Sequence, residues 1–155
     1  MLNELYSDRI LAAAGAIPPA RRLPHADASA VRVSRVCGSE VAVDLVMRDG
    51  RVADFGMEAK ACALGQASAS IVARTIIGAE PATLYRLRDA MRAMLKENGA
   101  PPHEDPLIGE RWRELETLSV IRDYPQRHAS TLLVFEAVAA CLDALGHGGA
   151  APSRT

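Results

Sequence analysis

The sequence predicts an α+β fold, a three-stranded antiparallel β-meander with an N-terminal helix and several C-terminal helices packed on the sheet. Two observations carry that expectation. Three strand-like runs, residues 31–36, 41–47 and 51–59, follow one another with only short turns between them. From Leu64 onward the apolar period changes from two to that of a helix.

The elements follow in order. Residues 2–14 are expected to form a short helix, with Leu2, Leu5, Tyr6, Ile10 and Leu11 at helical spacing, and Pro18 and Pro19 end it. Residues 17–30, rich in Pro, Arg and Ala, are an irregular connection. Cys37-Gly38-Ser39-Glu40 joins the first two strands and Asp49-Gly50 the last two. Asp-Gly is a strong hairpin signal, because both central residues of a type I′ turn need positive φ. In the third strand Ala53, Phe55, Met57 and Ala59 alternate with Asp54, Gly56, Glu58 and Lys60, so one face is expected in the core and the other in water.

A helix is then expected from Leu64 to a stop at Gly78, and a second, amphipathic one from Pro81 over residues 81–98. Leu84, Leu87, Met91, Met94 and Leu95 line the inner face of the second, with Arg88, Arg92 and Lys96 opposite. "GAPPHEDP" reads as a loop carrying a solvated His103, and residues 107–120 as a third helix with Trp112, Leu115 and Leu118 inward. Residues 130–145 are apolar nearly all round, which suits a helix buried on the sheet, and Glu136 and Asp143 argue against a membrane span. Residues 1–146 are expected to be one domain and 147–155 a flexible tail rich in Gly, Pro and Ala.

Composition narrows the function classes. A net charge of −1 over 155 residues gives no electrostatic reason to expect nucleic acid. No run approaches the roughly 18 to 20 apolar residues of a membrane span, and Glu4, Asp8 and Arg9 interrupt the start, so a cytoplasmic protein is expected. Three cysteines, Cys37, Cys62 and Cys141, are too few for a disulfide framework, and thiols in a reducing compartment pack, bind metal or react.

Topology separates the three. In a meander the end of strand one, the start of strand two and the end of strand three share one sheet edge, so Cys37 and Cys62 are expected to converge, within reach of one metal ion whose zinc–thiolate bonds are about 2.3 Å long. Cys62 also opens the helix beginning "CALGQASAS", where the helix dipole favours a thiolate. Small side chains there either keep the helix start uncrowded for an approaching partner or pack it tightly on its neighbour. Cys141, between Ala140 and Leu142, reads as a core thiol.

Residues 36–78, "VCGSEVAVDLVMRDGRVADFGMEAKACALGQASASIVARTIIG", resemble the centre of the U-type iron–sulfur cluster assembly scaffolds, the IscU, NifU N-terminal and SufU group. "LYSDRI" is similar to that family's opening helix and "YPQRHASTLLVFEAV" to its last, and the interval holding Trp112 and Leu115 is more like the SufU branch. The resemblance implies a scaffold in which cysteines and an aspartate hold iron, a [2Fe–2S] cluster or zinc, supplied with sulfur by a cysteine desulfurase and serving recipient apo-proteins or chaperones. It implies Cys37 and Cys62 as ligands; a related mechanism has Cys62 accept the sulfur without any bound metal, its thiolate attacking the desulfurase persulfide.

Two positions depart from the pattern. Ser39 stands where the family has aspartate, and Ala129 in "RHAS" where it has a third cysteine. His128 is a candidate to supply an imidazole nitrogen instead, its alternative being an ordinary helix-start histidine. Cys141 lies 12 residues past Ala129, about 18 Å along a helix, too far to substitute. The departures also suit a module that keeps the fold and binds assembly partners without metal, for which Arg86, Arg88 and Arg92 are a candidate surface.

Overall fold

The computed structural model describes residues 6–36 and 38–147. The order is α1 (Asp8–Gly15), β1 (Ala28–Val33), β2 (Glu40–Arg48), β3 (Arg51–Lys60), α2 (Ala63–Thr75), α3 (Pro81–Lys96), a 3₁₀ turn (Pro102–Glu104), a long 3₁₀ stretch (Glu110–Asp123), a second 3₁₀ turn (Pro125–Arg127) and α4 (His128–Ala144). The expected α+β fold is observed. Residues 2–5 of the first expected helix, Cys37, and residues 148–155 of the expected tail lie outside the described residues.

The strands form one antiparallel sheet in the order β1-β2-β3. Asp49 and Gly50 both have positive φ at the second turn, as the Asp-Gly signal requires. Val41, Val43 and Leu45 of β2 are fully buried beneath α4, which packs on β1 and β2, while α2 packs on β3. β1 begins three residues earlier than expected and ends at Val33, because the chain turns at once: the Gly38 N–H donates to Ser34 O at 2.7 Å and the Ser34 N–H to Ser39 O at 2.8 Å.

The second face of the sheet is not wet throughout. Residues 21–27 cross it as a strap. Arg21 bridges to the free edge of β3 through both backbone bonds with Met57, and the Met47 N–H donates to Asp27 Oδ2. Asp44, 1% exposed under the strap, accepts from Arg22 Nε and Nη2, Ser29 Oγ and the Leu23 N–H. Gly56 is required below it, since a Cβ there would stand 2.8 Å from Arg21 O and 2.9 Å from Leu23 Cγ. The alternating pattern of β3 therefore misassigned Gly56: it is buried by a segment distant in sequence.

The third expected helix is 3₁₀, not α. Trp112, Leu115, Leu118 and Ile121 are all fully buried at strict three-residue spacing, the period of a 3₁₀ helix. His103, expected in solvent, is 6% exposed, with Nε2 3.8 Å from Glu116 Oε1. The two prolines before it fix φ and fold the loop into a turn closed by Glu104 N–H to Pro101 O, which tucks the ring inward.

Candidate functional site

Cys62 occupies the N-cap position of α2, in extended backbone at φ −68° and ψ 173°, and its side chain makes no capping bond. It is partly exposed. The sheet register explains its position: Glu40, at the start of β2, pairs with Val33 on one side and Lys60 on the other. The β1–β2 turn and the β3–α2 connection therefore lie at the same sheet edge. Cys37 belongs to that turn in sequence but lies outside the described residues, so the turn is located by its neighbours Val36, which is exposed, and Gly38, at φ 74°.

The start of α4 completes the site. Cys62 Sγ stands 3.7 Å from Ser130 Oγ, a contact in which either atom can donate. Gly65 makes this approach close, because a Cβ there would lie 2.8 Å from Ala61 Cβ and 3.2 Å from Ser130 O. The small-residue tract divides into two parts. Ala67, Ser68, Ala69 and Ser70 are fully buried as a packing face, whereas the helix mouth at Cys62 stays open to solvent. Ser68 Oγ donates to Gly65 O, and Ser70 Oγ accepts from Arg74 Nε, so these buried hydroxyls are satisfied within the fold.

Arg127 joins the same corner. Its carbonyl accepts from Ser130 Oγ at 3.2 Å and from Thr131 Oγ1 at 2.9 Å. Its Nε is buried with no hydrogen-bond partner among the described residues. Ala129, which the resemblance sets at the third-cysteine position, is exposed next to them in sequence.

His128 is not an exposed helix-start residue. It is 5% exposed, and Nε2 lies 3.1 Å from both Ile121 O and Arg122 O. Carbonyls only accept, so Nε2 is the donor in these bonds and Nδ1 is the nitrogen a metal would have to use. Among the described residues no group of three His, Cys, Asp or Glu is placed to hold a metal ion. Cys141 is a core residue: it is fully buried, Sγ donates to Val43 O at 3.5 Å, and burial pushes the thiol up to about 12. Arg86, Arg88 and Arg92 are engaged within the chain, with Asp105 at 2.7 Å, Asp89 at 3.0 Å and Glu136 at 3.2 Å, and Arg88 stacks over Tyr85.

Sequence reasoning missed Ser130, Thr131 and Arg127. The signal was present in the hydroxyls that follow "RHA", residue types that bond nearby backbone at helix starts, but nothing in one dimension placed them against Cys62.

Among solved structures, the N-terminal part of a nitrogen-fixing NifU-like protein from Brucella abortus is 48% identical to this chain, with a TM-score of 0.85, over 92% of this chain and 94% of that one. The chain belongs to the U-type scaffold family. A candidate iron–sulfur cluster assembly scaffold for the SUF system from the thermophile Fervidobacterium islandicum superposes with a TM-score of 0.78 at 18% identity, over 90% of this chain and 98% of that one. A hypothetical protein superposes with a TM-score of 0.76, also at 18% identity, over 91% and 98%. These two share the fold. No protein-family model and no curated protein matches the sequence. Among its described residues no helix is long and apolar enough to cross a membrane.

Proposed function

We propose that this U-type protein works in iron–sulfur cluster assembly, with Cys62 accepting sulfur from a cysteine desulfurase for passage to recipient proteins. The observation that carries the reading is the place of Cys62: partly exposed at the mouth of α2, on the sheet edge shared with the β1–β2 turn, and against the start of α4. In the transfer, the Cys62 thiolate attacks the outer sulfur of the donor's persulfide. The donor's S–S bond breaks, its cysteine leaves as a thiolate, and Cys62 becomes a persulfide, with no net oxidation.

Cys37, Cys62 and His128 are the proposed ligands for iron, a [2Fe–2S] cluster or zinc held as cargo. The described residues fit sulfur acceptance better than a tightly held metal. Ser39 and Ala129 offer no carboxylate or thiolate, and His128 has one nitrogen committed to two carbonyls. A metal bound here would be held with low affinity, soft thiolates supplying most of the bonding.

Incubation with a cysteine desulfurase and cysteine, followed by peptide mass spectrometry, tests the reading. One added sulfur atom is expected on Cys62, absent from Cys62→Ser. Anaerobic iron, zinc and sulfide analysis of the parent, Cys37→Ser and Cys62→Ser proteins reads the cargo, and metal lost in both variants supports the ligand set. Sulfur on neither cysteine, together with metal content indifferent to both variants, would overturn the reading. It would favour the alternative that Ser39 and Ala129 motivate, a scaffold-fold module that binds assembly partners without metal.

A further inference from the structure

We infer that Gln66 is a positioning residue for the sulfur transfer: it holds the peptide units on both sides of Cys62 and so fixes the direction in which the side chain leaves the backbone. The inference rests on Cys62 as the sulfur-accepting residue. It starts from a gap in the regular structure. β3 ends at Lys60 and α2 begins at Ala63, so Ala61 and Cys62 lie between the two, where neither ladder nor helical turn repeats.

Gln66 spans that gap. Its backbone N–H donates to Cys62 O at 2.9 Å, the bond that opens the helix. Its side-chain Nε2 turns back and donates to Ala61 O, also at 2.9 Å. Ala61 O belongs to the peptide unit before Cys62 and Cys62 O to the unit after it. Peptide units are planar, so holding both planes at one Cα holds φ and ψ together, here −68° and 173°. The direction of Cβ follows from those two angles. Ala61 is seated by a second feature of the helix start, since a Cβ on Gly65 would lie 2.8 Å from Ala61 Cβ. Neither bond of Gln66 involves Sγ, whose own contact is Ser130 Oγ at 3.7 Å, so Gln66 acts through the backbone.

Aim matters in this reaction. The Cys62 thiolate must approach the outer sulfur in line with the S–S bond that breaks, as the donor's cysteine leaves as a thiolate. The donor sulfur is carried on a second protein and cannot turn freely to meet a wandering acceptor. Misorientation of that kind costs rate at the chemical step, not docking.

The test uses the full chain in single turnover with excess cysteine desulfurase and cysteine, sulfur on Cys62 being read by peptide mass spectrometry at several desulfurase concentrations. Gln66→Met keeps the length of the side chain without its donor. Gln66→Glu keeps its shape but offers, at neutral pH, a carboxylate that only accepts. Both are expected to lower the saturating rate about fivefold, the scale of one neutral hydrogen bond, with the half-saturating concentration unchanged. Iodoacetamide, small and free to approach from any side, is expected to capture Cys62 at the parent rate in both. The Cys62 amide–Hα coupling in NMR, which reads φ, is expected to be small in the parent, as φ −68° requires, and to rise in both variants.

Parent-rate transfer in either variant overturns the inference. So does a loss matched by equally slow iodoacetamide capture, or one carried by the half-saturating concentration, because these report a changed thiol or lost docking and not lost aim. A parent-like Cys62 coupling in both variants overturns it as well. Should one variant lose its cooperative melt, the other decides in the same way. The two readings fail separately. No sulfur on Cys62 of the parent sinks the proposed function, and the coupling then decides whether Gln66 fixes the residue, whereas sulfur transfer indifferent to Gln66 sinks this inference alone.

Discussion

Asp44 and Cys62 each anchor a polar cluster in a fold that is otherwise apolar at its centre, and they are built to opposite ends. Asp44 is closed. Four donors from the strap and β1 converge on its two oxygens, Arg22 in a fork, and the Arg22 guanidinium above all, helped by Ser29 and the Leu23 N–H, holds the carboxyl down at about 2. Cys62 is left open. Its one side-chain hydrogen bond among the described residues is long, and its helix start has no side-chain cap. A saturated cluster fixes geometry, whereas an unsaturated one keeps bonding capacity for something that arrives.

That contrast can be broken from either side. The largest effect is expected from Asp44→Ala, which releases the strap and strands the Leu23 N–H and Ser29 hydroxyl. About 3 kcal/mol of stability should be lost in urea unfolding, with little change in Cys62 capture by iodoacetamide. A strap variant that altered Cys62 reactivity would show the two clusters to be coupled.

Next in size is Gly65→Ala. Its Cβ meets Ala61 Cβ and the Ser130 carbonyl, so α2 and α4 must separate at their starts. About 2 kcal/mol of destabilisation is expected, and here, unlike the strap variant, Cys62 capture should change as well.

Acid reads the closed cluster directly. Asp44 ionises more readily folded than unfolded, so the unfolded chain binds more protons between about 4 and 2 and stability falls with pH across that window. The stabilisation is complete above the ordinary carboxylate value of 3.8 and fades as pH drops through about 2, a loss on the order of 2 kcal/mol. Asp44→Asn should flatten that part of a pH–stability curve, and an unchanged slope would assign the acid sensitivity elsewhere. The smallest effect is expected from Arg86→Ala, whose pair with Asp105 is solvent-screened: an unfolding midpoint close to the parent's in the same assay.

How far the sequence reached differs by region. The meander was legible because Asp49-Gly50 demands a turn only a hairpin uses, and because Cys62 follows the third strand so closely that strand direction alone put it at the rim of the β1–β2 turn. The burial of Cys141 was legible from its apolar helix neighbours. The strict 112, 115, 118, 121 spacing was also there to see, and it distinguishes a 3₁₀ stretch from the α-helix expected over it. The strap was not legible, since Arg22 and Asp44 carry no periodic signal linking positions 22 residues apart in sequence.

By itself, then, the sequence determined the fold class, the order of its elements and the edge of the sheet to which Cys62 belongs, because hydrophobic period and turn chemistry act between near neighbours. Only the tertiary structure decided what Cys62 meets there. Ser130 reaches it across 68 positions of chain, and whether two such groups touch is set by how α2 and α4 pack, which depends on the shape of the whole core.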